Sequence, residues 1–421
     1  MFSWPRISKS SDSHLPFQFR PCLEVLEDRD LFSVNSLAPM PAPWVQVFHG
    51  DFNGDSKQDV AGIDSSGQWW VSLSTGTSFT PRTKWAQWSV PSAWTKLFVA
   101  DVNGDGKDDI VGFGFNGAWF VGISNGTDAF MTGPSWAQWS IPSTWSQLFV
   151  GDFNGDHKAD IAGFGNNGAW FVGLSNGTDT FATGNAWANW SSAAGWQQVF
   201  VDDFNGDGKA DVAGFGKNGA WFVGLSNGVD TFATGPKWAQ WSPSSAWSQL
   251  FTGDFNGDHK ADIAGFSVNG AWFVGLSDGV GQFTTGAAWA QWSPASSWAQ
   301  VYVGDITGNG KADVLGFALQ SSGTGSYEED YGVWYVGYSN GIDTFTTGGN
   351  YGAWSSPNNW AQIFVTDFNG DGKADLGGFA TGSFDFAASL YNYPWTNVPA
   401  WNVGLSSAGN YSSTSVWLRW T

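Results

Sequence analysis

Only one cysteine, Cys22, stands among 421 residues, so no internal disulfide can brace the chain. Basic residues are scarce as well: 17 lysines and arginines against 37 acids leave a formal charge of −20. Without clustered cations the chain cannot neutralise a phosphate backbone, which excludes nucleic-acid binding. Charged residues of either sign make up 13% of the sequence, about half of a usual share near 25%. The acid excess therefore reflects missing cations and not acid-rich runs. No stretch approaches the ~18 consecutive apolar residues of a membrane-spanning helix. A phosphate-binding loop, a His-Glu-x-x-His string and a Cys–His pair are also missing, and no catalysis is expected. Disorder is excluded too, because 42% of the residues are apolar and 17% aromatic. Glycine (57) and tryptophan (30) are the residues in excess.

What the chain does have is an internal period. The string Asp-Phe-Asn-Gly-Asp-x-Lys-x-Asp, or a close variant, begins at Asp51, Asp101, Asp152, Asp203, Asp254, Asp305 and Asp367, with spacings of 50, 51, 51, 51, 51 and 62. The fourth unit opens with Trp196-Gln-Gln-Val-Phe-Val201, passes through its acidic loop to Val212-Ala-Gly-Phe215 and Trp221-Phe-Val-Gly-Leu-Ser226, and closes on Trp238-Ala-Gln-Trp-Ser242. Each unit thus holds four short runs rich in Val, Phe, Trp and Ile, separated by Asn-Gly and Thr-Gly punctuation, which are strand and turn signals. Runs such as Trp119-Phe-Val-Gly-Ile are apolar at consecutive positions, as strands covered on both faces are. Radial stacking of four-stranded blades covers both faces, and the end units lack the atypical caps of an open solenoid. The expected fold is all-β, a seven-bladed β-propeller of four-stranded antiparallel blades. Its repeats span approximately 44–93, 94–144, 145–195, 196–246, 247–297, 298–359 and 360–421, after a leader over 1–43. The recurrent tryptophans are expected to fill the interfaces between blades.

The acidic loop carries the chemistry. Oxygen donors on alternate residues, with a backbone carbonyl at the seventh position, suit a hard cation, and an all-oxygen set favours calcium. The candidate ligands are Asp51, Asn53, Asp55, Lys57 and Asp59; Asp101, Asn103, Asp105, Lys107 and Asp109; Asp152, Asn154, Asp156, Lys158 and Asp160; and Asp203, Asn205, Asp207, Lys209 and Asp211. They continue with Asp254, Asn256, Asp258, Lys260 and Asp262; Asp305, Thr307, Asn309, Lys311 and Asp313; and Asp367, Asn369, Asp371, Lys373 and Asp375. Each lysine would serve through its carbonyl, leaving the side chain to solvent. Six strong sites and one weak one are expected, because the loop at 305–313 has one carboxylate fewer and Thr in place of Asn. The sixth position asks for a left-handed backbone, so Ser56, His157 and His259 should carry modest strain there. His14 and His49 have no evident partners.

These residues resemble the FG-GAP repeat family, also known as VCBS repeats, which includes the N-terminal propeller of integrin α chains. The resemblance rests on Asp-x-Asn-x-Asp-Gly-x-x-Asp followed by Ala-Asp-Ile-Ala-Gly-Phe, as at Ala159–Phe164, and covers all seven units. It implies seven blades, an extracellular location, and calcium in the loop joining the first and second strands of each blade. Similar propellers include fungal lectins, which bind sugars between blades, and integrin heads, which bind proteins opposite the calcium. In the leader, Leu23-Glu-Val-Leu-Glu-Asp-Arg-Asp-Leu-Phe-Ser33 is similar to segments that begin many large bacterial surface proteins, and Ala38–Pro43 reads as a linker.

With calcium between strands one and two, the loops joining strands two and three emerge at the opposite rim. Those of blades six and seven are enlarged and bring Tyr327, Glu328, Glu329, Asp330 and Tyr331 beside Phe384, Asp385, Phe386, Tyr391, Tyr393 and Trp395. Aromatics next to carboxylates on such loops suit a glycan or protein ligand. The chain reads as a monomeric, extracellular, calcium-stabilised carbohydrate-binding or adhesion module at a bacterial cell surface. A surface scaffold without a discrete ligand is the alternative, and a polysaccharide-degrading enzyme a more distant one.

Overall fold

The computed structural model describes residues 43–321, 330–355, 360–380, 400–407, 410–411 and 415–419. Seven blade sheets follow one another along the chain, each with its strands hydrogen-bonded in chain order and antiparallel, and a two-stranded sheet of Ser406–Ser407 and Asn410–Tyr411 interrupts the last. Blade one is Trp44–Gly50, Asp59–Asp64, Gln68–Ser72 and Thr83–Gln87. Blade four is Trp196–Asp202, Asp211–Gly216, Ala220–Ser226 and Phe232–Thr234. In blades two to five the outer edge is divided: a further pair of residues, Ala239–Gln240 in blade four, also pairs with the third strand. The first strands of consecutive blades touch one another from blade one to blade seven, which places them around the central axis. The architecture is a seven-bladed β-propeller, and no α-helix occurs among the described residues.

Burial explains why the unbroken apolar runs are strands. Every residue of Asp211–Gly216 is buried, and the third strand Ala220–Ser226 shows only Phe222 and Leu225 partly to solvent. Each hydrophobic core lies between blades: one holds Phe204, Phe215 and Trp221 of blade four with Leu250 and Ile263 of blade five. The third-strand tryptophans, from Trp69 to Trp401, are wholly buried there. A second tryptophan pair lies across each of the six seams from blade one to blade seven. At Gly214 an added Cβ would meet Trp190 at 2.5 Å and Trp196 at 2.8 Å, so glycine recurs mid-strand because two indoles rest on its backbone.

Neighbouring blades are joined by repeated polar bonds. The Ser226 hydroxyl donates to the Phe153 carbonyl of the preceding blade at 2.6 Å, and the Ala210 amide donates to the Asp152 carbonyl at 2.7 Å. The ring closes with the same bonds, Ser74 to Phe368 at 2.6 Å and the Gln58 amide to Asp367 at 3.0 Å. In blade seven the corresponding Ser406 hydroxyl is buried without a partner. Replacing Ser226 by alanine strands a buried carbonyl and should cost about 1–3 kcal/mol. Ser406→Ala should cost almost nothing. Urea midpoints of the two variants check this, and equal midpoints would contradict it.

Acidic loops and grooves between the blades

Each candidate cation loop joins the first and second strands of its blade, and blade four shows the common geometry. Asp203 accepts the amides of Gly206 at 2.7 Å and Asp207 at 3.2 Å on one oxygen, and that of Gly208 at 2.8 Å on the other. Asn205 accepts the Asp207 amide at 2.8 Å, and Asp207 accepts that of Lys209 at 3.0 Å. The chain therefore winds around its own carboxylates. Ser56, His157 and His259, with φ of 66°, 64° and 63°, are the non-glycine residues with a left-handed backbone among the described residues, as the sixth position requires. Loop six keeps this winding although Asn309 replaces an aspartate: Lys311 donates its backbone amide to the Asn309 side-chain Oδ1 at 2.9 Å.

The ninth position is the deepest. Asp211 is fully buried and accepts the amides of Ser226 at 2.7 Å and Phe204 at 3.1 Å. Burial pushes its carboxyl up to about 8, with the charges of Asp203 and Asp207 adding to the shift. Asp59 is also raised to about 8, and Asp313 and Asp375 to about 7, each chiefly by burial. Asp109, Asp160 and Asp262 move the same way for the same reason. In six of the loops three carboxylates thus share a short turn whose ninth member is buried, a donor set that a divalent cation would neutralise.

The lysine side chains do not extend into solvent as the sequence suggested. Six of them bend back to the aspartate at the fifth position: Lys209 meets Asp207 at 2.6 Å, and Lys57, Lys107, Lys158, Lys260 and Lys373 do likewise. Excess loop charge draws the ammonium inward, and the stem packs on glycine. A Cβ at Gly54 would touch the Lys107 stem at 3.1 Å, and one at Gly126 at 2.8 Å. With that carboxylate so engaged, no three acidic or imidazole side chains among the described residues converge on one point. His49 also has partners after all. Its Nδ1 lies 2.6 Å from the Gln58 amide oxygen, and its ring meets Phe364 edge to face at the closing seam.

The opposite rim carries grooves that the period hid. At the seam of blades one and two, Trp88 and Trp94 lie 4.8 Å apart, with the half-buried Phe120 edge-on to Trp94 at 5.6 Å. Ser89, Phe115, Asn116, Thr132 and Gly133 complete a cavity of about 560 Å³. The equivalent cavity between blades five and six, about 600 Å³, is lined by Trp292, Trp298, Leu319, Gln320, Tyr335 and Thr347. The tryptophan pair recurs as Trp139–Trp145, Trp190–Trp196, Trp241–Trp247 and Trp354–Trp360, at 4.5–4.9 Å. Gly133 and its counterparts Gly184, Gly235 and Gly286 stand at the lip, where an added Cβ would meet nothing within 4 Å. Neither packing nor a left-handed backbone demands glycine there. The tryptophans fill the interblade core as the period implied, and at these two seams the closing and opening pair also borders open space.

The FG-GAP-like repeat description matches residues 51–112, 101–163, 203–265 and 254–316, more than half of the chain. This chain belongs to the FG-GAP-like repeat family. No curated protein matches it in sequence at a significant level. In structure, this FG-GAP-like propeller is similar to an Agrocybe aegerita lectin that specifically recognises non-reducing terminal N-acetylglucosamine. That match has a TM-score of 0.65 and 22% identity, and covers 89% of this chain and 94% of the lectin. It is also similar to the BP39L lectin of Burkholderia pseudomallei, with a TM-score of 0.54 and 14% identity, covering 89% and 99%. At such identities the likeness is one of fold.

A Gly-x-Ser-x-Gly string, the pattern of a hydrolase elbow, recurs in this FG-GAP-like propeller, as at Gly224–Gly228. It is the turn after the third strand, and its Ser226 is spent on the Phe153 carbonyl. Of the suggested ligand seam, Tyr327, Glu328, Glu329, Asp385, Tyr391, Tyr393 and Trp395 lie outside the described residues, as do Phe384, Phe386 and the leader. Asp330 and Tyr331 are placed: the insertion of blade six lengthens the hairpin, pairing Ser321 with Asp330 and Gln320 with Tyr331. The Tyr331 hydroxyl donates to the Gln320 side chain at 3.2 Å.

Proposed function

We propose that this FG-GAP-like propeller is an extracellular, calcium-stabilised carbohydrate-binding module. The observation that carries the reading is the repeated groove, with its paired indoles, an edge-on aromatic ring and amide or hydroxyl groups at the lip. A pyranose offers an apolar face of C–H bonds and a rim of hydroxyls. The indoles and Phe120 suit the face, and Asn116 and Thr132 suit the rim. Repetition of equivalent grooves gives avidity on a polymeric or multiply branched glycan. The fold it shares with two lectins, one of them specific for terminal N-acetylglucosamine, supports the same reading. The surface-protein resemblance of Leu23–Ser33 supports a bacterial cell-surface location.

Calcium would be held by the aspartates and asparagines of the acidic loops with the lysine carbonyl, at six strong sites and more weakly at 305–313. The bound ion would neutralise the buried ninth aspartate and take the fifth from its lysine. Its role is structural, since the loops lie on the rim away from the grooves.

A glycan array tests the function. Saturable binding to a defined saccharide is expected. A variant carrying arginine at Gly133, Gly184, Gly235 and Gly286 should lose at least about tenfold in avidity, because four grooves are obstructed at once. Its melting temperature should stay unchanged, since those positions face open space. Failure to bind any glycan would favour a scaffold without a discrete ligand.

A further inference from the structure

The seam at which blade one closes the ring differs from its sisters in three side chains. Where blades two to six have glycine at the groove lip, from Gly133 to Gly348, blade one has Arg82. Where blades two to six have an edge-on phenylalanine or tyrosine, it has Trp70. Where the second strand of other blades ends in Gly, Ser or Ala, blade one ends in Asp64. The three residues form one assembly. The guanidinium carbon of Arg82 lies 5.3 Å from the ring centre of Trp44 and 4.9 Å from that of Trp70. Trp70 donates its indole N–H to Asp64 at 2.9 Å, and Asp64 also accepts the Ser66 hydroxyl and the Ser66 and Gln68 amides.

Trp44 and Trp70 are the counterparts of Trp94 and Phe120, which border the open groove at the next seam. The planar cation therefore lies against the two aromatic surfaces that elsewhere face open space. A guanidinium stacks on indole faces and is weakly hydrated, so it leaves water for such a site readily. Asp64 adds a charge of the right sign and holds the Trp70 ring in place. We infer that Arg82 is an intramolecular occupant of this groove, so that the closing seam excludes saccharide while its sister grooves admit it. This rests on the proposed carbohydrate-binding reading, and it makes Arg82 a determinant of how many ligands the ring takes.

The test compares the wild-type chain with Arg82→Gly and Arg82→Gln, each first checked for an unchanged melting temperature. Hydroxyl-radical footprinting read by mass spectrometry should show oxidation of Trp70 rising severalfold in both variants, with Phe120 and Phe171 unchanged. Titration with N,N′-diacetylchitobiose, counted by native mass spectrometry, should show one more ligand per chain in Arg82→Gly. Unchanged Trp70 oxidation overturns the inference, because Arg82 then does not cover the ring. An exposed Trp70 with no additional ligand, or with one ligand fewer, overturns it as well, the latter by making Arg82 a contact for the sugar. If no form binds the saccharide, the carbohydrate reading falls and footprinting alone decides whether Arg82 fills the groove.

Discussion

Chelation should lower the melting temperature of this propeller by on the order of 10 °C or more, and millimolar calcium should restore it. An ion that binds the folded loops and not the unfolded chain contributes about 1.4 kcal/mol per site at ten times its Kd. Six such sites amount to roughly 8 kcal/mol, comparable with a domain's whole stability of about 5–15 kcal/mol. The expectation rests on the loops themselves: each has a buried ninth aspartate whose charge the interior penalises, and the lysine ammonium beside it engages the fifth aspartate instead. Scanning calorimetry in EDTA and in calcium settles the matter, and superimposable melts would falsify the structural role.

The second large effect is expected at the ninth position itself. Asp211→Ala removes the acceptor of two buried amides, those of Phe204 and Ser226. Each orphaned donor costs about 1–3 kcal/mol, so the variant should lose roughly 2–6 kcal/mol even in EDTA. Asp207→Ala is the contrast. Its side chain is 36% exposed and paired with Lys209, so in EDTA the loss should be small, on the order of 1 kcal/mol or less, while calcium stabilisation of that loop disappears. Urea midpoints measured with and without calcium separate the two. A ninth-position alanine variant as stable in EDTA as the parent would show that the carboxylate serves the ion alone.

The propeller was legible in the sequence because its signals repeat. Seven acidic loops, seven glycine-punctuated apolar runs and near-constant spacing left one economical arrangement, and the left-handed backbone at Ser56, His157 and His259 followed from position alone. The loops' connection was equally legible by resemblance. Side-chain direction was not. Whether Lys209 points to solvent or to Asp207 depends on the charge of its own loop and on a neighbouring blade's glycine, and the second lies outside its repeat. The grooves were missed for a related reason: Trp88 belongs to one blade and Trp94 to the next, so a cavity between them is invisible to a reading made unit by unit. Arg82 could have been found. It puts a cation into a column that is glycine in blades two to six, and a departure from a period is information of the same kind as the period.

The Ser74 and Gln58 bonds that close the ring have a mechanical consequence. A row of stacked sheets can peel from either end, one interface at a time. A closed hoop has no end, and freeing any blade requires breaking two interfaces in the same event, which pushes partial opening toward the cost of global unfolding. The hoop is not uniform, however. The junction of blades six and seven lacks the serine bond, since Ser406 has no partner, and the loop that abuts it is the one short of a carboxylate. Rupture should start there, at the buckle of the belt and not at the closing seam of blades one and seven.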